Sequence, residues 1–537
     1  MTSHHLALRK NTYNLKLLNI NEISQLHIMK PFPNKKQNRI LFFVWCLHVS
    51  INRKLPKMRI EKDALGQLEI PDEAYYGIQT VRCVANHAVT QHSFKELPQV
   101  IRALAEIKKA CAITNEEIGA LVPEKAEAIK KACDEVIAGK FNNQFPINIW
   151  RSHGTGANMN ANEVIANRAN EILTGHKGYD TVHPNTHVNM CQSSNDVYPT
   201  VQSIVIYRQI SQALESVRDL EKALGEKALE FKDVVRLGRT CLQDAVPNTF
   251  GQVFGGWQHM IYRHRKHLED YQSTYQSVVL GATVLGTGMG QMPGYHENIM
   301  KNLSKVLGWE VKWPTWEDEV IADSAVFDAM QNCDHAVVLG GILKALALAA
   351  ARICEDLRIL SSGPKAGFGE INLPGQDPNG NDDENSIVPE LIFEIMQRAI
   401  TADHVAALTV NENDSDEAIT DGASFMGVME TLETIEKGFK IFADDCIRGI
   451  TVNIDRVTYN AKMSTSLATM VSALFGYETG TRIAHKAWDE GISCEKASQE
   501  TGLLSPDIAH ELFDISKLTK REAMVEMFKK YGKLRHV

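Results

Sequence analysis

The ten cysteines of this 537-residue chain stand singly, with no C-x-x-C and no Cys/His pairing at zinc spacing. That excludes a legible disulfide framework or zinc module and leaves reduced, mostly buried thiols in a cytoplasmic protein as the expectation. Histidines cluster in HMIYRHRKH (259–267), but H-E-x-x-H is absent, so this reads as a solvated helix face and no metal is expected. There is no glycine-rich nucleotide motif in a strand-to-helix setting, hence no cofactor, and no internal repeat or low-complexity tract. The one greasy run near the start, ILFFVWCLHV (40–49), is too short to cross a bilayer, so no membrane span is expected. Alternation of the strand type is scarce, which argues against a doubly wound sheet.

Charge is unevenly spread. Residues 1–57 carry ten Lys/Arg against the single acid Glu22, so the formal net charge of -9 hides a balance of -18 in residues 58–537. An acidic body of this kind repels phosphates and anionic lipid, which excludes nucleic acid and membrane as expected partners. The basic leader is not Ser-rich and lacks the early apolar region of a secretory signal. We expect residues 1–57 to be an appended extension, disordered or not native, with Met58 as the functional start.

What the chain has in quantity is helical periodicity. Apolar residues recur at spacings of three and four over Thr200–Phe231, Asp328–Leu360, Val388–Thr409 and Ala418–Ile450, which predicts long helices in an elongated bundle. ALALAAARI (345–353) leaves little polar circumference. Helices apolar all round need neighbours on every side, so an oligomer sharing a core is expected, with extra helices folded over a monomer as the other solution. The regions before about 197 and after about 451 read as caps on the bundle, giving an N-terminal domain 58–196, a central bundle 197–450 and a small C-terminal domain 451–537.

Three loop-like segments concentrate small residues, hydroxyls and amides: HGTGANMNANE (153–163), HPNTHVNMCQSSNDVYPT (183–200) and GRTCLQDAVPNTFGQ (238–252). Hydroxyls and amides just before a helix make a donor-rich pocket suited to a carboxylate. Capping alone would account for any one of them, and suffices for Thr200 or Ser362. It does not explain SSN at 193–195 recurring beside GT at 154–155. His153 stands where it could act as acid or base or simply hydrogen-bond in its loop. His183 and His187 read as structural first and catalytic second.

The blocks IEKDALGQLEIPDEAYYGIQT (60–80), NMNANEVIAN (158–167), CQSSNDVYPT (191–200), GRTCLQDAVPNTFGQ (238–252), GATVLGTG (281–288) and LSSGPKAGFGEINLP (360–374) resemble the aspartase/fumarase superfamily in order and spacing. YYG, FP (145–146), INLP and CIRGITVN (446–453) are nearer to aspartate ammonia-lyases than to fumarases. The resemblance implies a mainly all-α, three-domain fold with a central long-helix bundle. It also implies a homotetramer with a shared multi-helix core and composite active sites. The implied activity is carbon–nitrogen lyase chemistry on a small carboxylate or amino acid: anti elimination of ammonia or an amine through an enediolate-like intermediate. Donors aimed at that dianion are its main requirement. Carried over residue by residue, the resemblance puts Thr155, Ser193, Ser194 and Asn195 at carboxylate-binding positions and Thr240 at the next polar contact. Cys241 replaces the family's His or Gln, and His153 replaces a small residue.

The segment INLPGQDPNGNDDENSIVPE (371–390) is the main departure. In the family it carries a mobile loop with a catalytic serine and a substrate-gripping lysine. Here no serine occurs between Ser362 and Ser386 and no lysine between Lys365 and Lys437. Asp383 falls at the lysine position and Asn385 keeps the asparagine. A lysine about 4 Å from a carboxylate contributes several kcal/mol at intermediate dielectric, and a carboxylate there repels comparably. Asp377, Asp382, Asp383 and Glu384 therefore favour a cationic substrate group, although acids on a solvated lid would leave specificity untouched. This leaves three readings. One is a lyase of altered specificity with its base moved to His153, His187 or Ser386, releasing trimethylamine from a betaine in the manner of ergothionase. Another is an aspartase with a divergent loop, served by Lys365 or Arg398. The third is an inactive binding homologue.

Overall fold

The structure is a computed structural model that describes residues 57–86, 89–150, 153–375 (the side chain of 153 excepted), 387–410, 415–417 and 422–532. The chain divides into two units, Met1–Met58 and Arg59–Val537, and the second carries the helical body.

The fold is mainly helical, and among the described residues the sheets are two-stranded. Helices α1 (Pro98–Glu117), α2 (Pro123–Ile137) and α3 (His153–Thr174) precede the longest, α4 (Ser194–Glu230). A hairpin of β1 (Val235–Thr240) and β2 (Gln243–Thr249) leads into α5 (Phe250–Tyr271). Then come α6 (Ser324–Gln331), α7 (His335–Ser361), α8 (Val388–Thr409), α9 (Gly422–Ile441) and α10 (Ile454–Met463). Helices α4, α5, α7, α8 and α9 pack side by side as the bundle. One apolar cluster runs from Phe94 to Val457, and a separate one gathers Ala461 to Tyr531.

The periodicity finds these helices but not all their ends. Val388–Thr409 has the expected bounds. The expected single helix Asp328–Leu360 is two, because Asn332 is extended (φ -123°, ψ 144°) and its side-chain amide bonds the Asp328 carboxylate where the helical turn would have continued. Ala418–Ile450 is helical from Gly422 to Ile441 and ends in a π turn and a 3-10 turn through Gly449. Helix α4 begins at Ser194, ahead of Thr200, with Pro199 inside it. Pro199 lies early enough that the broken bond falls within the first two turns.

The 153–163 segment, read as a loop, is the start of α3. Asparagine is a poor helix former because its side chain competes for backbone groups. In α3 those side chains have tertiary partners: Asn160 donates to the Gln144 carbonyl, Asn167 to that of Tyr75 and Asn170 to that of Val182, all three being buried. Tertiary bonding has overridden propensity.

Helix α7 is long and apolar enough to cross a membrane by length and composition. Much of it is buried against its neighbours, while Val338 and Leu348 remain exposed, as do Ile400 and Leu408 on α8. Of the nine described cysteines seven are buried and Cys241 is exposed.

Candidate active site

Two helix starts converge at the site. A Cβ on Gly154 would lie 2.2 Å from Tyr198 Cβ, so only glycine lets the first turn of α3 approach α4 this closely. Ser193 is the N-cap of α4. Its Oγ accepts from the Asn195 N–H at 3.2 Å and its own N–H donates to Asp196 Oδ1 at 3.0 Å. Capping thus accounts for Ser193. Ser194 and Asn195 are left over, and with Gly154 and Thr155 they line a cavity of about 700 Å³. Asn195 also donates to the Val284 carbonyl at 3.1 Å, tying in the 281–288 loop.

Asp196 holds that loop from beneath. Its Oδ2 accepts from the N–H groups of Gly281 and Thr283, each at 2.9 Å. Burial pushes its carboxyl up to about 7 against the lowering effect of those bonds and of Lys108. Thr283 is left-handed (φ 60°) with its hydroxyl buried and unpartnered among the described residues. For a β-branched residue this is real strain, of order 1–3 kcal/mol, and it persists because Asp196 fixes the amide of Thr283 itself and that of Gly281.

The rest of the cavity lining differs in character. Asp328, Asp334 and Glu417 line it with the half-exposed Trp316, and among the described lining residues there is no lysine or arginine. Sequence reasoning missed these residues because they come from the 314–316 segment, α6, the 332–334 break and a short segment near 417, none of which carries a motif.

Other expected site residues lie elsewhere. Thr240 and Cys241 sit at the exposed hairpin end and do not line the cavity. Cys241 (φ 50°) and Leu242 (φ 61°) are both left-handed, the conformation of a tight two-residue hairpin turn that normally takes Asn-Gly. His187 lies in a π turn, Pro184–Val188. Its Nδ1 accepts from the His183 N–H at 2.8 Å and its Nε2 is 3.1 Å from Lys125 Nζ, so both ring nitrogens are engaged away from the cavity. Burial first, then Lys125 and His183, hold His187 below the usual histidine range. His183 Nδ1 accepts from the N–H groups of Asn185 and Thr186, a capping role. His153 opens α3, and its side chain lies outside the described residues, as do Asp383, Asn385, Ser386 and the other acids of that loop. Of the cations considered as substitutes, Lys365 is exposed and Arg398 pairs with Glu430.

The stem of the divergent loop is firmly anchored. Glu370 is fully buried and takes a bidentate contact from Arg239 (2.6 and 3.1 Å), with Arg236 at 3.8 Å and Asn460 donating at 3.2 Å. Arg456 holds the carbonyls of Pro364 and Gly367, and Asn453 that of Gly369.

The profile of the family described as "Lyase" matches residues 66–381. The chain belongs to this lyase family. It is 33% identical over 467 residues to an aspartate ammonia-lyase of a Bacillus species, covering 86% of this chain and 97% of that one. It is 34% identical to a class II fumarate hydratase of Thermosynechococcus vestitus, covering 84% and 95%. A crystal structure described as fumarate lyase:delta crystallin from Brucella melitensis bound to cobalt superimposes with a TM-score of 0.81. It is 32% identical, with 86% and 100% of the chains covered. These lyase relatives make the chain a member of the aspartase/fumarase superfamily with its mainly helical fold. Among the described residues no three His, Cys, Asp or Glu side chains gather as metal ligands.

Proposed function

We propose that this protein is a carbon–nitrogen lyase that eliminates ammonia or an amine from a carboxylate of the amino-acid type. The observation that carries the proposal is the single cavity wall made by Thr155, Ser194 and Asn195 at two converging helix starts. Hydroxyl and amide donors there bind the substrate carboxylate. They bind it more tightly once removal of the neighbouring proton turns it into an enediolate-like dianion, which is what lowers the barrier. A general base takes the proton, the C–H bonding pair becomes the alkene π bond, and the C–N pair leaves with the amine on the opposite face.

The acids Asp328, Asp334 and Glu417 in the same cavity, the absence of lysine and arginine among its described lining residues, and the loss of serine and lysine from the 363–385 segment beyond Lys365 all support a substrate whose second end is cationic. A betaine with its trimethylammonium on the carbon β to the carboxylate has that charge and a removable proton beside the carboxylate; a plain dicarboxylate lacks the charge. Aspartase activity is the second reading, favoured by the aspartate ammonia-lyases among the relatives. It requires a cation from outside this cavity, and a neighbouring subunit is the natural source. We take the working form to be a homotetramer with composite sites, for which exposed Val338, Leu348, Ile400 and Leu408 supply apolar surface.

The test is to offer L-aspartate and a trimethylammonium betaine separately, following alkene absorbance and amine release. Turnover of the betaine with little of aspartate supports the cationic reading, and rapid ammonia release from aspartate overturns it. Carboxylate binding without turnover of any amine marks an inactive binding homologue. Thr155→Val is expected to lower kcat/KM by roughly ten- to a hundredfold.

A further inference from the structure

Behind the donor wall lies a buried cation. Lys108, on α1, is fully buried, and its ammonium donates to Asn158 Oδ1 (2.6 Å), Asn189 Oδ1 (2.8 Å) and Gln192 Oε1 (2.7 Å). Among the described residues no carboxylate lies within ion-pair distance of it. Asp196 on α4 is the charged group whose field reaches it, and the thiols of Cys111 on α1 and Cys133 on α2 also face it.

An ammonium has three donors and no acceptor, so it dictates which way an amide turns. All three amides present oxygen to Lys108, which aims their NH2 groups elsewhere. Gln192 donates to the carbonyls of Val188 and Met190, and Asn189 to that of Gln192. Asn158 donates to Asn189 Oδ1 at 3.2 Å and to Ser194 Oγ at 2.9 Å. With Asn158 donating to it, the Ser194 oxygen is an acceptor on that side, and its one hydrogen is left to point away. Ser194 lines the cavity.

We propose that Lys108 is a positioning residue that fixes the polarity of the chain Lys108–Asn158–Ser194, so that Ser194 presents its O–H to a bound carboxylate. This rests on the carboxylate-binding reading of the wall. A purely structural role fits the site poorly. Burying an ammonium among neutral amides is costly, and a glutamine or an apolar residue would fill the space without that cost. The charge makes sense as the one group, three donors and no acceptor, that holds all three amide oxygens on its own side and so fixes the direction of the chain to Ser194. Burial pushes Lys108 down to about 8, so it remains largely protonated at neutral pH.

The experiment measures dissociation constants of fumarate and acrylate for the full chain by calorimetry, both acids being fully ionised at neutral pH and above. At pH 7, Ser194→Ala and Lys108→Met should each weaken binding at least tenfold. The double variant should bind within twofold of Ser194→Ala, because the lysine acts only through the serine. Asn158→Asp should also lose tenfold or more: its carboxylate would accept from both neighbours and turn the Ser194 hydrogen away from the cavity. In the wild type, affinity should fall again as pH rises through about 8. That limb should vanish in Lys108→Met, leaving a single limb from Asp196, moved up from about 7 because Lys108 no longer lowers it. Losses that multiply in the double variant, or wild-type binding by Asn158→Asp, overturn the proposal while leaving the donor wall intact. Wild type that binds neither acid overturns the donor wall, and this inference with it. Should Lys108→Met fail to fold, Asn158→Asp, which gains an ion pair, decides alone.

Discussion

Glu370 and Lys108 are both fully buried, yet their surroundings are opposite in kind. Glu370 has Arg239 on both oxygens, Arg236 nearby and Asn460 besides. Lys108 has three neutral amide oxygens. The first arrangement satisfies a charge with countercharge and thereby clamps the stem of the divergent loop to the hairpin and to α10. The second leaves the charge uncancelled, which stabilises nothing by itself but orients a hydrogen-bond chain that ends in the cavity. A buried charge with its counterion is an anchor, whereas one without it is held for something that arrives later.

Glu370→Gln should have the largest effect on stability. Removing one partner leaves two guanidinium groups buried without a carboxylate, which should cost about 3–5 kcal/mol in denaturant melts. A loss under about 1 kcal/mol would mean that the arginines find other partners and that no clamp exists. Lys108→Met is expected to change stability at pH 7 by no more than about 2 kcal/mol, because relief of the buried charge offsets the orphaned amide oxygens. A loss as large as that of Glu370→Gln would erase the distinction.

A pH series sharpens it. Lys108 has its folded pKa lowered to about 8 from 10.5. Between those values the unfolded chain binds the proton and the folded chain does not, so this group makes stability rise with pH over that window. Below about 8 both states are protonated and its contribution is flat at its least favourable. The difference between wild type and Lys108→Met should therefore shift in favour of wild type from about pH 8 to 10, measured by urea melts. A constant difference would show that Lys108 titrates normally. The smallest effect expected is at the hairpin end, where Leu242→Gly should stabilise by about 0.5–1 kcal/mol by relieving a left-handed leucine. It should leave the donor wall's carboxylate affinity unchanged, since Leu242 does not line that cavity.

Much of the fold was legible, for a physical reason. Period-3.6 apolar patterns report burial directly, and Val388–Thr409 emerged with its bounds. The break at Asn332 escaped because the apolar pattern runs through it and only a local side-chain bond marks it. Of the site, the pairing of GT with SSN was legible from composition, and the structure brings Thr155, Ser194 and Asn195 to one cavity. Ser193 belongs to the cap. His187 faces Lys125 rather than the cavity. Lys108 left one faint trace, a lysine sharing a helical face with Leu104 and Cys111, both fully buried. Without the amides opposite, that face reads as a lysine stem snorkelling to solvent.

By itself the sequence determined what is periodic or local: a bundle of long apolar helices, an acidic body, hydroxyl and amide groups set at helix starts, and a 366–385 segment stripped of serine and lysine. Tertiary structure alone decided what depends on partners distant along the chain. It made an asparagine-rich run helical, brought acids from distant segments into the donors' cavity, and put an ammonium behind a serine far along the chain. Periodicity is a property of one segment and can be read there. The direction of a hydrogen bond belongs to two groups at once, and exists only when the fold has brought them together.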